Sequence, residues 1–280
     1  VKYLWQQKFD VIITSLPLLA QPILILKKLS LIQSKVVYRE CNMPSSHDMT
    51  EMRLAKILYR HADVLISQTA EMKEEMIKYY SVESNDVITI NNPVDKDLIQ
   101  QKIKESVTLD SNRVNYMACS RLSPQKDIPT MLMAFAVVRK TIPNAMLYLI
   151  GKPDSEEYGM SLKSLTCSLG ISEYVKFVGF QANPYKYLKQ ADVFVLSSIY
   201  EGLPNVMLEA MYLGKPVAVT ACIPYISQVV HSGVNGYLAP VSDSDALAKA
   251  MVEAKDIKGL PQYKDINDSE GLIVKMFRKL

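Results

Sequence analysis

Cysteine is scarce in this 280-residue sequence, and its spacing argues against two kinds of site. The four cysteines, Cys41, Cys119, Cys167 and Cys222, lie far apart and form no C-x-x-C pair. The sequence therefore indicates neither a zinc knuckle nor a redox dithiol. Isolated thiols of this kind are typical of a cytosolic protein in which they stay reduced.

Long apolar runs are also missing. The longest, LPLLAQPILIL at residues 16–26, is shorter than the ~20 residues of a spanning helix and contains Pro17 and Pro22. We therefore expect neither a membrane span nor a signal peptide. The overlapping stretch PILILKKLSLIQSK, residues 22–35, is apolar with a basic flank. A helix facing a protein core is the favoured interpretation, and peripheral contact with an anionic membrane surface is the alternative.

Charge of one sign does not dominate either. The net charge is +3, and no Lys- or Arg-rich run carries interleaved aromatic residues, so nucleic acid is not an expected partner. An apolar fraction of 49% and a charged fraction of 22% are typical of a soluble globular protein. A length of 280 residues suits two domains of ordinary size.

Short β-branched runs alternate with amphipathic stretches along most of the chain, which predicts parallel sheets with helices on both faces. The predicted strands of a first series are residues 10–16, 35–40, 62–68 and 86–92. Those of a second series are residues 113–120, 145–151, 174–180, 191–198, 215–220 and 235–240. Six alternating strands make a complete doubly wound domain, whereas the first series begins without the usual strand and Gly-rich turn.

These series predict four regions. A partial first domain covers residues 1–95, a linker follows over 96–112, and a complete second domain covers 113–255. Residues 256–280 form a tail that includes EGLIVKMFRKL, which we expect to be a terminal helix crossing back to the first domain or a frayed end.

Two cations follow the first strand of the second domain, in SRLSPQK. Arg121 and Lys126 lie in the loop that opens the next helix. Ligands of parallel sheets bind beyond the carboxyl ends of the strands, and this pair suits a diphosphate, Arg as a planar fork and Lys as a point charge. Two surface cations without a ligand are the alternative.

Two acids flank a turn in EGLPNVMLE. Pro204 favours a helix start, so Glu201 lies in the loop and Glu209 inside the helix. The free N–H groups expected at residues 205–207 predict an anion site. Glu209 has apolar neighbours, and a carboxylate there can bind vicinal hydroxyls of a ribose or hexose. A helix-surface glutamate is the alternative.

Further polar residues follow the strand at residues 35–40. His47 is a candidate for contact with a ligand in the cleft, and Arg39 and Glu40 could line the same side of it. Structural pairing of Arg39 and Glu40, with each other or with neighbours, is the favoured interpretation.

Taken together, EGLPNVMLE, SRLSPQK, NPYKYLKQADVFVLSS and SGVNGYLAP closely resemble glycosyltransferase family 4 (group 1) enzymes. The resemblance is strong over residues 113–255 and looser over 9–95. It implies the GT-B fold, with two facing Rossmann-like α/β domains, here with an N-terminal domain that lacks its first strands. The family's N-terminal Gly-rich loop, which closes over the donor phosphates and helps to shape the acceptor site, would lie in that missing part.

The resemblance also implies residue roles. The ligand of His47 would be the acceptor or the donor, and Arg39 and Glu40 would be on the acceptor side. Arg121 and Lys126 would bind the diphosphate of a nucleotide sugar, Glu209 the ribose hydroxyls and Glu201 the donor hexose. Catalysis would fall to Glu201, Arg121 and Lys126, and donor binding would also involve Gly202, Leu203, Pro204, Asn205 and Val206. One departure is CIPYISQVV, where Gln228 stands in place of a frequent acid.

The implied reaction is transfer of a hexose, with retention of configuration, to a glycan or lipid-linked acceptor. UDP is the favoured donor nucleotide, no metal cofactor is needed, and the reaction is a same-face displacement guided by the donor phosphate. Polysaccharide or glycoconjugate biosynthesis in the cytoplasm is the expected setting, and peripheral contact at the inner face of the membrane is the alternative. A non-catalytic nucleotide-sugar-binding fragment or interaction module, and another GT-B enzyme such as a UDP-sugar 2-epimerase or a phosphorylase, remain alternatives. The sequence predicts no oligomeric state.

Overall fold

The computed structural model describes residues 9–260 and 269–278. Within them the chain divides into two compact units. The first unit contains residues 9–93, 201–203 and 269–278, and the second contains 94–200 and 204–260. Three residues of the EGLPNVMLE stretch thus belong to the first unit, although both chain neighbours of this short segment belong to the second.

The first unit is built on a parallel four-stranded sheet in the order β1-β2-β3-β4. Its strands are β1 Val11–Thr14, β2 Lys35–Arg39, β3 Val64–Ser67 and β4 Val87–Thr89. Its helices are α1 Pro17–Lys28, α2 Met49–Leu58 and α3 Ala70–Tyr80. Consecutive residues of β2 are buried, as expected for a parallel strand covered on both faces.

Side-chain caps begin two of these helices. Asp48 accepts the N–H groups of Thr50 and Glu51 at the start of α2, and Thr69 accepts that of Met72 at the start of α3. Each cap satisfies backbone donors that a helix start leaves without a partner.

Helix α1 does not fit a purely core-facing interpretation. Ala20, Ile23 and Leu24 are buried, whereas Leu18 is 83% exposed and Leu19 is 55% exposed. The last turn carries Lys27 and Lys28. The helix therefore presents one face to the sheet and leaves apolar side chains on the other.

The second unit contains a parallel six-stranded sheet. Its strands are β5 Val114–Cys119, β6 Ala145–Ile150, β7 Val175–Gly179, β8 Val193–Leu196, β9 Val217–Thr220 and β10 Gly236–Ala239. The spatial order is β10-β9-β8-β5-β6-β7. This is the order of a Rossmann sheet, and it reverses direction between β5 and β8, where such sheets bind their ligands.

In the second unit one helix precedes the first strand and the others lie between or after the strands. They are α4 Lys96–Lys102, α5 Ile128–Thr141, α6 Glu156–Ser168, α7 Tyr185–Leu188, α8 Asn205–Tyr212, α9 Pro224–Val229 and α10 Ser244–Ala254. The predicted linker thus begins with α4 and lies in this unit. Helix α11, Ser269–Phe277, belongs to the first unit, where Met276 packs with Val37, Ile66 and Ile90.

The predicted α/β fold class with two parallel sheets is confirmed. Each of the ten described strands lies inside one predicted run. The observed strands are shorter because the ladder ends where the chain turns toward its helix.

Helix α5 shows how the core fixes the loop before it. Ile128, Leu132 and Phe135 recur at helical spacing and are fully buried against the sheet. Asp127, in the left-handed region with a φ of 44°, caps the helix by accepting the N–H of Thr130. The residue before this cap is Lys126, so the packed helix holds the loop that carries it.

We expect substitution of Gly151 by Ala to be costly, because this glycine touches the end of β5. It has a φ of +142°, and an added Cβ would lie 1.7 Å from the Ser120 carbonyl oxygen. Gly151→Ala should lower the free energy of unfolding by about 3 kcal/mol or more. Urea denaturation followed by circular dichroism measures this change.

Gly170→Ala is the matched control, since Gly170 also has a positive φ, +67°, but nothing lies within 4 Å of its added Cβ. It should cost about 1 kcal/mol from backbone strain alone. Equal losses in the two variants would contradict the close approach at Gly151.

Candidate functional site

The loop after β5 is joined to the segment after β8 by three hydrogen bonds. Ser197 Oγ donates to the Lys126 carbonyl oxygen at 2.6 Å. The Ile199 N–H donates to the Gln125 carbonyl oxygen at 2.9 Å, and Gln125 Nε2 donates to that of Tyr200 at 2.9 Å. The turn of residues 124–126 is therefore fixed at the point where the strand order reverses.

Arg121 lies in this loop and extends into solvent. Its side chain is 70% exposed, and its guanidinium lies 3.5 Å from the Asp154 carboxylate. Such an exposed ion pair is worth little and can be exchanged for another anion. Lys126 ends the short 3₁₀ turn Pro124–Lys126 and is half-buried. The structure thus brings both predicted diphosphate ligands into one loop at the carboxyl end of β5.

Glu209 lies on α8 and is half-buried. The Tyr185 hydroxyl donates to Glu209 Oε1 at 3.2 Å. Burial raises the pKa of Glu209, and the Tyr185 hydrogen bond opposes that effect. Burial and the charge of Glu209 together raise the pKa of Tyr185 to about 12. The same two causes raise the pKa of the Cys119 thiol to about 12.

Tyr185 is a site residue that the sequence prediction missed. The stretch NPYKYLKQ contains it, but nothing in the local pattern indicates that its hydroxyl reaches an acid 24 positions later. A carboxylate offers about four acceptor positions, so one bond from Tyr185 leaves capacity for vicinal hydroxyls of a ligand.

The start of α8 differs in one respect from the predicted anion site. The Met207 N–H is not free, because it donates to the Pro204 carbonyl oxygen at 3.0 Å. The chain turns tightly after Pro204 and satisfies this donor within the first turn. Asn205 is exposed and Val206 is half-buried, so the predicted anion contact now depends on these two residues.

The Glu201–Leu203 segment is buried in the first unit, with Glu201 only 6% exposed. Gly202 packs against Cys41, and an added Cβ would lie 1.8 Å from the Cys41 carbonyl oxygen. Only a hydrogen atom fits there, so glycine is required by close contact.

Glu40, at the carboxyl end of β2, lies at the centre of a buried hydrogen-bond network in the first unit. Its side chain is 1% exposed. Oε2 accepts the hydroxyls of Tyr80 at 2.6 Å and Tyr38 at 3.1 Å. Oε1 accepts the N–H groups of Cys41 at 2.9 Å and Asn42 at 3.3 Å.

His47 lies between two carboxylates. Its Nε2 is 3.3 Å from Glu40 Oε1, and its Nδ1 is 2.9 Å from Glu51 Oε2. The hydrogen bond to Glu40 is the main cause that raises the pKa of His47 to about 9. The His47 hydrogen bond in turn holds the pKa of Glu40 below its usual value, against the effect of burial.

The predicted acceptor-side residues thus have protein partners in the structure. His47 pairs with Glu40 and Glu51, and Arg39 donates to Asn92 Oδ1 and to Cys41 Sγ at 3.6 Å. Contact of His47 or Arg39 with an acceptor stays a prediction.

Comparison with known proteins identifies a family and a fold. The profile of a family described as "Glycosyl transferases group 1" matches residues 99–268. An uncharacterized glycosyltransferase of Methanocaldococcus jannaschii is 31% identical over 172 residues, which cover 60% of this chain and 42% of that protein.

A second relative is an N-acetylgalactosamine-N,N'-diacetylbacillosaminyl-diphospho-undecaprenol 4-alpha-N-acetylgalactosaminyltransferase of Campylobacter jejuni. It is 24% identical over 195 residues, 67% of this chain and 51% of that protein. The chain therefore spans about half the length of the curated relatives it matches.

Among solved structures, Anabaena HepE in complex with UDP and glucose superposes with a TM-score of 0.81 at 22% identity. The match covers 97% of this chain and 78% of that one. The likeness shows a shared fold, and the predicted GT-B fold class is confirmed. Within residues 9–260 and 269–278, no helix combines the length and apolarity needed to cross a membrane.

We expect the His47–Glu40 pair to make stability depend on pH on the alkaline side. The folded-state pKa of His47, about 9, lies above its unfolded value. Its contribution is therefore fully present below about pH 6.5 and is lost as the pH rises through about 9. Urea denaturation between pH 6 and pH 9.5 should show a loss of about 1–3 kcal/mol from this group.

His47→Gln should flatten this part of the profile. His231→Gln is the control, because His231 is exposed and lies in the second unit, and it should keep the parent's profile. Parallel profiles for the parent and His47→Gln would rule out the ion pair as the source.

Proposed function

Because this chain belongs to the group 1 glycosyl transferases, we propose that it transfers a hexose from a UDP-linked sugar to a glycan or lipid-linked acceptor, with retention of configuration. The observation that carries the proposal is the arrangement in the second unit. Two cations occupy the loop after β5, and a half-buried carboxylate lies on the helix that follows β8.

In this proposal the second unit holds the nucleotide. Arg121 and Lys126 bind the diphosphate, aided by the N-terminal end of α8 at Asn205 and Val206. Glu209 accepts hydrogen bonds from the ribose hydroxyls, while Tyr185 fixes the orientation of its carboxylate. The fit of each group to one part of a nucleoside diphosphate supports the assignment.

The relatives support the proposed substrates. The HepE structure contains UDP and glucose, and the name of the Campylobacter jejuni relative describes transfer to a sugar carried on diphospho-undecaprenol. A lipid-linked acceptor accords with the exposed apolar side chains of α1 and with the exposed Lys28 in its last turn, which suit an anionic membrane surface. We therefore place the reaction in polysaccharide or glycoconjugate synthesis at the cytoplasmic face of a membrane.

The chemical step breaks the bond between the anomeric carbon and the diphosphate oxygen and forms one to the acceptor oxygen. The acceptor oxygen attacks from the same face of the sugar that the diphosphate leaves. Because the two groups are then adjacent, the acceptor proton passes to the departing phosphate. Arg121 and Lys126 stabilise the negative charge that develops on the diphosphate. Glu201 contacts the hexose. With these cations in that role, we propose that transfer needs no metal ion.

The donor assignment predicts which substitutions weaken UDP binding. Arg121→Ala and Glu209→Ala should each raise the dissociation constant of UDP about tenfold or more, because each removes a charged hydrogen-bond partner. Isothermal titration calorimetry with UDP, GDP and ADP measures the affinities and tests the nucleotide preference.

Arg113→Ala is the matched control for Arg121→Ala. Both arginines pair with an exposed aspartate, but Arg113 lies just before β5, at the opposite end of the strand from Arg121. It should leave UDP affinity within about twofold of the parent. Equal effects of the two arginine variants would contradict the site.

Turnover separates transfer from the alternatives. With a UDP-hexose and a polyprenyl-diphosphate-sugar acceptor, we expect a product with the donor's anomeric configuration by NMR. Because two cations stabilise the leaving group, an excess of EDTA should change the rate by less than about twofold. UDP binding without any transfer would favour the non-catalytic module, and turnover of the donor without an acceptor would favour an epimerase.

A further inference from the structure

Glu40 is a buried acid to which the proposed donor binding gives no role. Its backbone is fixed to β3, because its N–H donates to the Ile66 carbonyl oxygen at 2.9 Å and its own carbonyl accepts Gln68 Nε2 at 2.7 Å. The Tyr38 and Tyr80 hydroxyls hold the far oxygen of its carboxylate. The backbone hydrogen bonds and the two tyrosine hydroxyls together fix the position of this side chain.

From that position, Oε1 organises the turn that follows β2. It accepts the N–H groups of both Cys41 and Asn42, and His47 Nε2 approaches the same oxygen. These N–H groups lie beyond the last ladder residue of the strand, so the sheet does not satisfy them. The conformation of the turn therefore depends on the reach of the Glu40 side chain.

The same turn supports the segment that contains Glu201. Gly202 packs directly on Cys41 and Asn42, with an added Cβ at 1.8 Å from the Cys41 oxygen and 3.3 Å from the Asn42 Cα. The two backbone segments are therefore in direct van der Waals contact, with no space between them. A shift of the turn must displace the backbone of Gly202, and Glu201 is its immediate neighbour.

We propose that Glu40 is a positioning residue that sets the location of Glu201 by fixing the Cys41–Asn42 turn against Gly202. The functional half of this inference rests on the proposed role of Glu201 at the donor hexose. A purely stabilising role for Glu40 would predict a different result, in which its loss weakens the whole first unit equally.

Two variants of Glu40 separate the effect of its side-chain length from the effect of its negative charge. Glu40→Asp keeps the charge but shortens the side chain, so one carboxylate can no longer meet both the tyrosines and the turn. Glu40→Gln keeps the length and loses the charge. Glu51→Gln is the matched control, since Glu51 contacts the same histidine from a more exposed position.

Backbone ¹⁵N relaxation provides a readout that does not depend on activity. In Glu40→Asp, the order parameters of the Gly202 and Leu203 amides should fall from about 0.85 to below about 0.6, together with those of Cys41 and Asn42. The amides of β2 should not change. Glu40→Gln should have a smaller effect, and Glu51→Gln none.

The proposal is overturned if the Gly202 and Leu203 amides keep their order in Glu40→Asp, or if the whole first unit loosens to the same extent. If Glu40→Asp does not fold, Tyr80→Phe replaces it. Tyr80→Phe removes the 2.6 Å hydrogen bond to Oε2 and keeps the charge, and the same pattern of amides should respond.

Steady-state kinetics test the functional half of the proposal, that Glu40 positions Glu201 for its role at the donor hexose. Glu40→Asp should lower kcat about tenfold or more by misplacing Glu201, with the dissociation constant of UDP within about twofold of the parent. An unchanged kcat in a variant with a loosened Gly202 would overturn this half. A parent chain that transfers no sugar contradicts the proposed function, whereas the relaxation data still decide whether Glu40 positions the Glu201 segment.

Discussion

In both sheets the strands run parallel, so each loop leaves a carboxyl end with backbone groups that the ladder does not pair. Nearby side chains satisfy several of these groups. Ser197 binds the Lys126 carbonyl in the second unit, and Glu40 binds the Cys41 and Asn42 N–H groups in the first. These bonds fix the loops at the edge where ligands of parallel sheets bind. The requirement to pair buried backbone groups therefore also orders the candidate site.

The residues of the EGLPNVMLE stretch are divided between the two units. Its first three residues pack in the first unit, and the helix that begins at Asn205 belongs to the second. Glu201 and Glu209, eight positions apart, thus have separate surroundings: Glu201 depends on the turn after β2, whereas Glu209 depends on Tyr185. The spacing in the sequence does not by itself define a single rigid motif.

Local pattern was sufficient to predict the strands, the α/β fold and the loop that carries Arg121 and Lys126. Each of these follows from the period of apolar residues or from the rule that ligands bind at strand ends. The contacts of Glu40 with Tyr80 and of Glu209 with Tyr185 were not predictable, because the partners lie 40 and 24 positions apart and meet only in the folded chain. The Met207 N–H was wrongly predicted to be free, since the turn at Pro204 cannot be read from residue types.

The surroundings of the two acids also explain why residue type alone does not reveal a role. Glu40 is almost fully buried, and five protein donors approach its carboxylate, so its pKa is lowered although burial acts in the opposite direction. Glu209 is half-buried with a hydrogen bond from Tyr185, and burial raises its pKa. A carboxylate whose acceptor positions are filled by protein holds structure together. One with unfilled acceptor positions is stabilised further when a ligand brings hydroxyl donors. That difference is our reason for proposing ligand binding at Glu209 and positioning at Glu40.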